Sequence, residues 1–224
     1  MHEISQNTCY PEEGEVILID KDLDWTSFNV VKKIKFVLLH KYRLKKLKVG
    51  HAGTLDPLAT GLMILCTGRQ TKNIELYQAQ EKEYVASIRL DSTTPSFDLE
   101  TEPDHFFNVY HIAERDVKMA LNSFLGEQDQ VPPAFSAKYV DGRRAYKLAR
   151  EGKTVELQAS RVNFYSLELL KFDLPVVEIK IVCSKGTYIR SFARDLGIAL
   201  GAGGHLAELR RTRIGTYRVE DAYT

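Results

Sequence analysis

The sequence predicts a mixed α/β fold of the α+β type, a largely antiparallel sheet flanked by helices. Three observations lead there. Short β-branched and aromatic runs such as "EYVASIRLD" alternate at irregular intervals with amphipathic stretches such as "AERDVKMALNSFLG". The glycine-rich fingerprints of a doubly wound nucleotide-binding sheet are missing. The 44% hydrophobic and 27% charged residues of the 224-residue chain are ordinary for a globular body that buries a sizeable core.

Taken in order, Val16 to Ile19 reads as a short buried strand. In "WTSFNVVKKIKFVLLH" Thr26 or Ser27 is a suitable N-cap, and Phe28, Val31, Ile34 or Lys35, and Leu38 recur at helical spacing. "LMILCTG" is a compact apolar run closed by Gly68, and "TKNIELYQAQ" reads as a short helix. Glu83 to Asp91 mixes β-branched, aromatic and polar residues as a strand does, and "STTPSFDLETEPD" is turn chemistry. An amphipathic helix then runs up to Gly126. After Pro132-Pro133, Asp141-Gly142 marks a hairpin turn that leads into a short basic helix. "RVNFYSLELLKF" and "VVEIKIVCS" are two further strands, and "YIRSFARDLGIALG" is a helix ended by Gly201. With no repeat, low-complexity segment or linker, one domain over residues 1–224 is expected, its core at about 16–213.

Nothing in the chain is long and apolar enough to span a bilayer. The N-terminus lacks the basic-then-apolar layout of a signal peptide, so the cytoplasm is the expected compartment. Cys9, Cys66 and Cys183 are far apart, which argues for buried free thiols and against a disulfide framework or a zinc site. The net charge is only +1, yet "HKYRLKKLK", "DGRRAYKLAR" and "LRRTR" concentrate positive charge. Any one such cluster is usually a solvated face; three together suit a phosphate backbone.

The chemistry concentrates in "KVGHAGTLDPLATG", Lys48 to Gly61, where Asp56 stands as the single carboxylate. A glycosidase of the usual kind needs two carboxylates, a metal hydrolase needs a ligand cluster, and no Gly-x-Ser-x-Gly elbow is present. A plain Asp-Pro turn would explain an isolated Asp56. Here Gly50, Gly53 and Gly61 leave room for close backbone approach by a ligand, and His51 offers a flat ring beside the carboxylate.

"GHAGTLDPLATG" closely resembles the catalytic motif of the TruB family of tRNA pseudouridine synthases. "KEYVASIRL", "VPPAFSAKYVDGRRAYKLAREG", "CSKGTYIRSFARDLG" and "GAGGHLAELRR" match later family segments in order, from about Val16 to Arg213. The resemblance implies the pseudouridine synthase fold and a cofactor-free, metal-free isomerase. It would flip the T-loop uridine at position 55 of tRNA out of the stack, break its C–N glycosidic bond and rejoin the base through carbon. It implies Asp56 as the catalytic aspartate, acting by attack on the sugar, attack on the ring or removal of a sugar proton, with Arg190 as its cationic partner. Tyr84 would stack on the extruded base with its hydroxyl near the atom that loses a proton; Tyr188 and Leu209 would line the pocket, and His51 would fill the gap left in the RNA. Lys21 matches the family's N-terminal lysine, although the usual Lys-Pro-x-Gly reads "DKDLDWTS" here. The implied partner is the T stem-loop of tRNA, bound by a monomer with no membrane, no required protein partner and no C-terminal RNA-binding (PUA) domain. The competing readings are a non-catalytic RNA-binding or RNA-folding module and a guide-RNA-dependent synthase.

Overall fold

A computed structural model describes residues 11–136, 138–140, 142–153, 155 and 157–224. The trace divides into two compact units, the first Met1–Gln80 with Arg211–Thr224, the second Glu81–Arg210. The largely antiparallel sheet and its helices agree with the predicted class.

In the first unit, β1 (Val16–Lys21) leads to α1 (Ser27–Lys41), β2 (Val49–His51), β3 (Ala59–Thr67), a 3-10 turn and α2 (Ile74–Ala79). Thr26 caps α1, its hydroxyl accepting the Asn29 N–H at 3.0 Å. β3 lies antiparallel to β1, with Lys21 opposite Gly61, and to β2, with His51 opposite Leu65. Leu62 through Cys66 are all fully buried, so β3 reads as an unbroken apolar run because both of its faces are covered. Each of its larger side chains contributes about 1.5–3 kcal/mol by burial.

The apolar repeat of α1 is placed differently from its expected register. Ser27, Val30 and Leu38 are buried, whereas Phe28 is 70% exposed. Ser27 turns inward to hydrogen-bond Leu55, and Phe28, about 100° further round the helix, is turned out.

The second unit contains β4 (Lys82–Arg89), the short pair β5 (Ser92–Thr93) and β6 (His105–Phe106), α3 (Glu114–Ser123) and β7 (Gly126–Gln130). The short pair β8 (Tyr139–Val140) and β9 (Arg143–Arg144) follows, then α4 (Ala145–Arg150), β10 (Ser160–Asp173), β11 (Val176–Cys183), α5 (Ile189–Ala199) and the first part, up to Arg210, of β12 (His205–Ile214). The strand order is β12-β4-β11-β10-β7. Tyr84, Ala86 and Ile88 of β4 stand opposite Ile181, Ile179 and Val177 of β11, and all six are buried on one face. α5 buries Ile189, Phe192, Ala193 and Leu196; the Phe192 ring packs 5.4 Å from Phe124 and 5.1 Å from Phe164.

Three details depart from the sequence expectation. α3 ends at Ser123, and Gly126, expected as its stop, opens β7 at φ +88°. β7 is the polar run "GEQDQ", invisible to a hydrophobic pattern because its order comes from pairing with β10. β12 also carries no clean alternation, and it follows Gly203 and Gly204. A Cβ on Gly204 would lie 2.1 Å from the Ala193 carbonyl oxygen, so the chain passes α5 backbone to backbone before the strand begins. The expected hairpin is flanked by the Tyr139–Arg144 and Val140–Arg143 pairs, while Asp141 itself lies outside the described residues, as does Cys9. Cys66 and Cys183 are buried free thiols, and burial pushes the Cys183 thiol up to about 12.

The chain re-enters the first unit at Arg211, within β12, and folds back through β13 (Tyr217–Arg218). Ile214 and Val219 then join Ala52, Leu62, Ile64 and Cys66 in that unit's core. No described helix is long and apolar enough to cross a membrane.

Candidate active site

In the first unit the residues of interest gather on the loop between β2 and β3. Leu55 is buried, and its backbone is held on both sides by one hydroxyl: the Leu55 N–H donates to Ser27 Oγ at 2.9 Å, and that hydroxyl donates to the Leu55 carbonyl at 3.0 Å. Asp56 follows, half-buried, and its carbonyl accepts the Ala59 N–H at 3.1 Å in a tight turn into β3. Lys21, 1% exposed at the end of β1, donates from Nζ to the carbonyls of Asp22 at 2.8 Å and Pro57 at 3.3 Å. Burial lowers the Lys21 pKa, against the carboxylates of Asp22, Asp24 and Asp56, which favour the ammonium; the Arg211 cation adds to the lowering.

Arg211, part of the basic cluster expected on a solvated or phosphate-binding face, is 1% exposed. Its guanidinium donates to the carbonyls of Leu62 at 2.7 Å, Gly53 at 3.2 Å and Thr54 at 3.5 Å. The glycines of the motif serve the same packing. Gly61 has φ +104°, and a Cβ there would sit 2.3 Å from the Arg211 carbonyl oxygen; a Cβ on Gly50 would meet the Ile74 side chain at 2.6 Å. Protein atoms occupy the space that the sequence left open for a ligand at these two glycines. His51 is half-buried; burial lowers its pKa, the Gly53 backbone opposes this, and the Arg211 cation reinforces it.

The remaining predicted residues lie in the second unit. Tyr84 is buried on β4 and Leu209 half-buried on β12. Tyr188 and Arg190 stand together where α5 begins. Arg190 is buried; Nη1 donates to the Ser96 carbonyl at 3.3 Å, Nη2 to the Phe135 carbonyl at 3.0 Å, and Nε lies 3.5 Å from Oδ2 of Asp98. Buried Gln130 clamps the Tyr188 backbone, accepting its N–H at 2.8 Å and donating to its carbonyl at 3.1 Å.

Sequence reasoning missed Ser27, Asp98, Gln130 and Arg211. Asp98 sits in a run of turn residues, where an aspartate needs no other reason. Gln130 and Ser27 act on backbone far away in sequence, which no local pattern signals. Among the described residues no three His, Cys, Asp or Glu side chains gather as metal ligands.

Residues 40–189 match the family model described as "TruB family pseudouridylate synthase (N terminal domain)", and residues 190–224 match "tRNA pseudouridylate synthase B C-terminal domain". The chain is 55% identical over 210 residues to tRNA pseudouridine synthase B of Phocaeicola vulgatus, covering 94% of this chain and 89% of that protein. Among solved structures it is similar to a chain in the crystal structure of a Cbf5-Nop10-Gar1 complex, with TM-score 0.69 and 29% identity over 93% of this chain and 50% of that one. A second is a chain in an H/ACA RNP bound to a substrate RNA containing 2'-deoxyuridine, with TM-score 0.65, 28% identity and coverages of 92% and 49%. The chain thus spans about half the length of those two solved chains. A mixed sheet carrying one carboxylate on an anchored loop is therefore found in a pseudouridylate synthase framework. The chain belongs to the TruB family of pseudouridylate synthases.

Proposed function

We propose that this chain is a tRNA pseudouridine synthase that isomerises the T-loop uridine at position 55. The observation that carries the reading is the Asp56 loop, held by Ser27 on Leu55, Lys21 on Pro57 and Arg211 on Gly53 and Thr54. Rigid support of one carboxylate is what a reaction needs when a single group must meet an extruded nucleoside. The name of the P. vulgatus relative supports tRNA as the substrate, and the RNA-bound neighbour supports RNA as the ligand class.

In this reading the N1–C1′ bond of the uridine breaks, the freed base turns, C5 bonds to C1′ and gives up its proton, and N1, released from the sugar, takes one up. Asp56 acts as the ionised carboxylate, on the sugar carbon, the ring or a sugar proton. Arg190 is its cationic partner, with Asp98 and two carbonyls holding the guanidinium in place. Tyr84 stacks on the base and places its hydroxyl near C5; Tyr188 and Leu209 line the pocket. His51 enters the RNA where the base has left, and its lowered pKa keeps it a neutral ring suited to stacking. Lys21 supports the loop through the Pro57 carbonyl and bears on substrate binding through that loop. The chain acts as one catalytic domain and a cytoplasmic monomer, with no cofactor, metal or obligatory protein partner.

The decisive experiment incubates the purified protein with an unmodified tRNA transcript and maps pseudouridine by carbodiimide-stalled primer extension. A new stop at position 55 is expected. Product elsewhere overturns the assignment of position, and binding without any product favours a non-catalytic RNA-binding module.

A further inference from the structure

We infer that α1 and the loop after it form a second RNA-docking face, distinct from the uridine pocket, which takes phosphates and unpaired bases of the RNA that carries the target. The inference rests on the RNA-modifying function proposed above. Between Trp25 and Leu55 lie eight of the chain's 31 Lys and Arg and none of its 30 Asp and Glu, which leaves 23 cations and 30 carboxylates for all other residues. The near-neutral total conceals one strongly basic segment in an otherwise acidic chain.

All eight cations, among them Lys32, Lys33, Lys45 and Lys46, are exposed, and among the described residues none joins an ion pair. In the second unit, by contrast, Arg89, Lys118, Arg150, Arg161 and Lys171 each have a carboxylate partner. A solvated face usually interleaves both signs; this one does not.

Aromatic rings lie on α1 and just before it, alongside the four of these cations that the helix carries, Lys32, Lys33, Lys35 and Lys41. Phe28 and Phe36 are 70% and 59% exposed, and Trp25 is 38% exposed with Lys33 Nζ 5.8 Å from its ring centroid. The Phe36 ring lies 4.1 Å from that of His40. Exposed rings beside unpaired lysines offer stacking for bases and charge for phosphates, the two needs of an RNA strand. The helix is also continuous with the Asp56 loop, because Ser27 in its first turn holds Leu55. From there its 15 residues extend about 22 Å away at 1.5 Å per residue. An RNA whose uridine is at Asp56 therefore has neighbouring nucleotides within reach of this face.

The test measures equilibrium binding of an unmodified tRNA transcript across a range of salt concentrations, with pseudouridine scored on the same samples. Lys32→Gln/Lys33→Gln/Lys45→Gln should weaken binding and flatten the plot of log K against log salt by about 0.7 to 0.9 per lost phosphate contact. Phe28→Ser/Phe36→Ser should weaken binding with the slope unchanged. Lys118→Gln/Arg161→Gln/Lys171→Gln removes the same charge elsewhere and should leave the slope as in the parent. Unchanged affinity and slope in the α1 variants, or an equal fall in the control, overturns the proposal. So does a parent that binds phosphatidylserine vesicles or self-associates through these residues while its RNA affinity ignores them. A slope change without any product keeps this face and removes the catalytic reading; product with an unchanged slope in the α1 lysine variant does the reverse.

Discussion

Asp56 is the smallest unit on which the proposed chemistry turns. Asp56→Asn keeps the shape of the loop and the backbone turn into β3 but removes the charge, so turnover should fall by on the order of 10³-fold or more, about 4 kcal/mol, with tRNA affinity nearly intact. Turnover near the parent's, measured by pseudouridine mapping on a saturating transcript, would remove Asp56 from the reaction. His51 yields a pH dependence. Its folded pKa lies below the ordinary value, so below about pH 6.5 the unfolded chain takes up a proton that the folded chain resists, and stability falls as the pH drops through that window. His51→Gln lacks this linkage, and its Tm should change less than the parent's between about pH 7.5 and 5.5; parallel Tm curves would show that His51 titrates alike in both states. Arg211→Met should be far more damaging than its place in a basic cluster suggests. It leaves the Leu62, Gly53 and Thr54 carbonyls without their donor, each at about 1–3 kcal/mol if buried and unpaired, which thermal unfolding would register.

At the scale of elements, the start of α5 carries both Tyr188 and Arg190, and its position depends on β7. Gln130 at the end of β7 satisfies the Tyr188 N–H and carbonyl together, while Ser191 Oγ donates to the Val131 carbonyl at 2.8 Å. Gln130→Ala should therefore lower stability by about 1–3 kcal/mol through the orphaned backbone groups. It should also lower kcat, since the residues it positions are those assigned to the base and the carboxylate. Urea unfolding and steady-state kinetics on one preparation check both; a stability loss with full kcat would confine Gln130 to packing. The strand itself was unreadable beforehand, because "GEQDQ" has neither alternation nor β-branched residues and owes its conformation to β10.

For the molecule as a whole, β12 is the element to watch: its first residues belong to one compact unit and Arg211–Ile214 to the other. Both units draw residues from that one continuous strand, so unfolding should be a single cooperative event. Trp25, the chain's one tryptophan, reports on the first unit. Its fluorescence and far-UV circular dichroism should give the same urea midpoint; an earlier fluorescence transition would mean that the units unfold independently and would count against one catalytic domain.

What could be read from the residues was whatever local chemistry enforces. A helix cap at Thr26 or Ser27, the apolar run of β3, the alternation of β4 and β11 and the helix at α5 all follow from spacing and side-chain type, and the class of fold follows from their sum. The Asp56 motif was legible because its residues are consecutive, and the family match gave it a meaning. The rotation of α1, which exposes Phe28, was not legible, because it depends on Ser27 meeting Leu55 across the fold. Nor was the difference between two arginines of similar sequence setting: Arg211 is enclosed by the carbonyls of Gly53, Thr54 and Leu62, while Arg43 stays in water. Burial and the partner of a charged group are properties of segments brought together from far along the chain, and only the tertiary structure decides them.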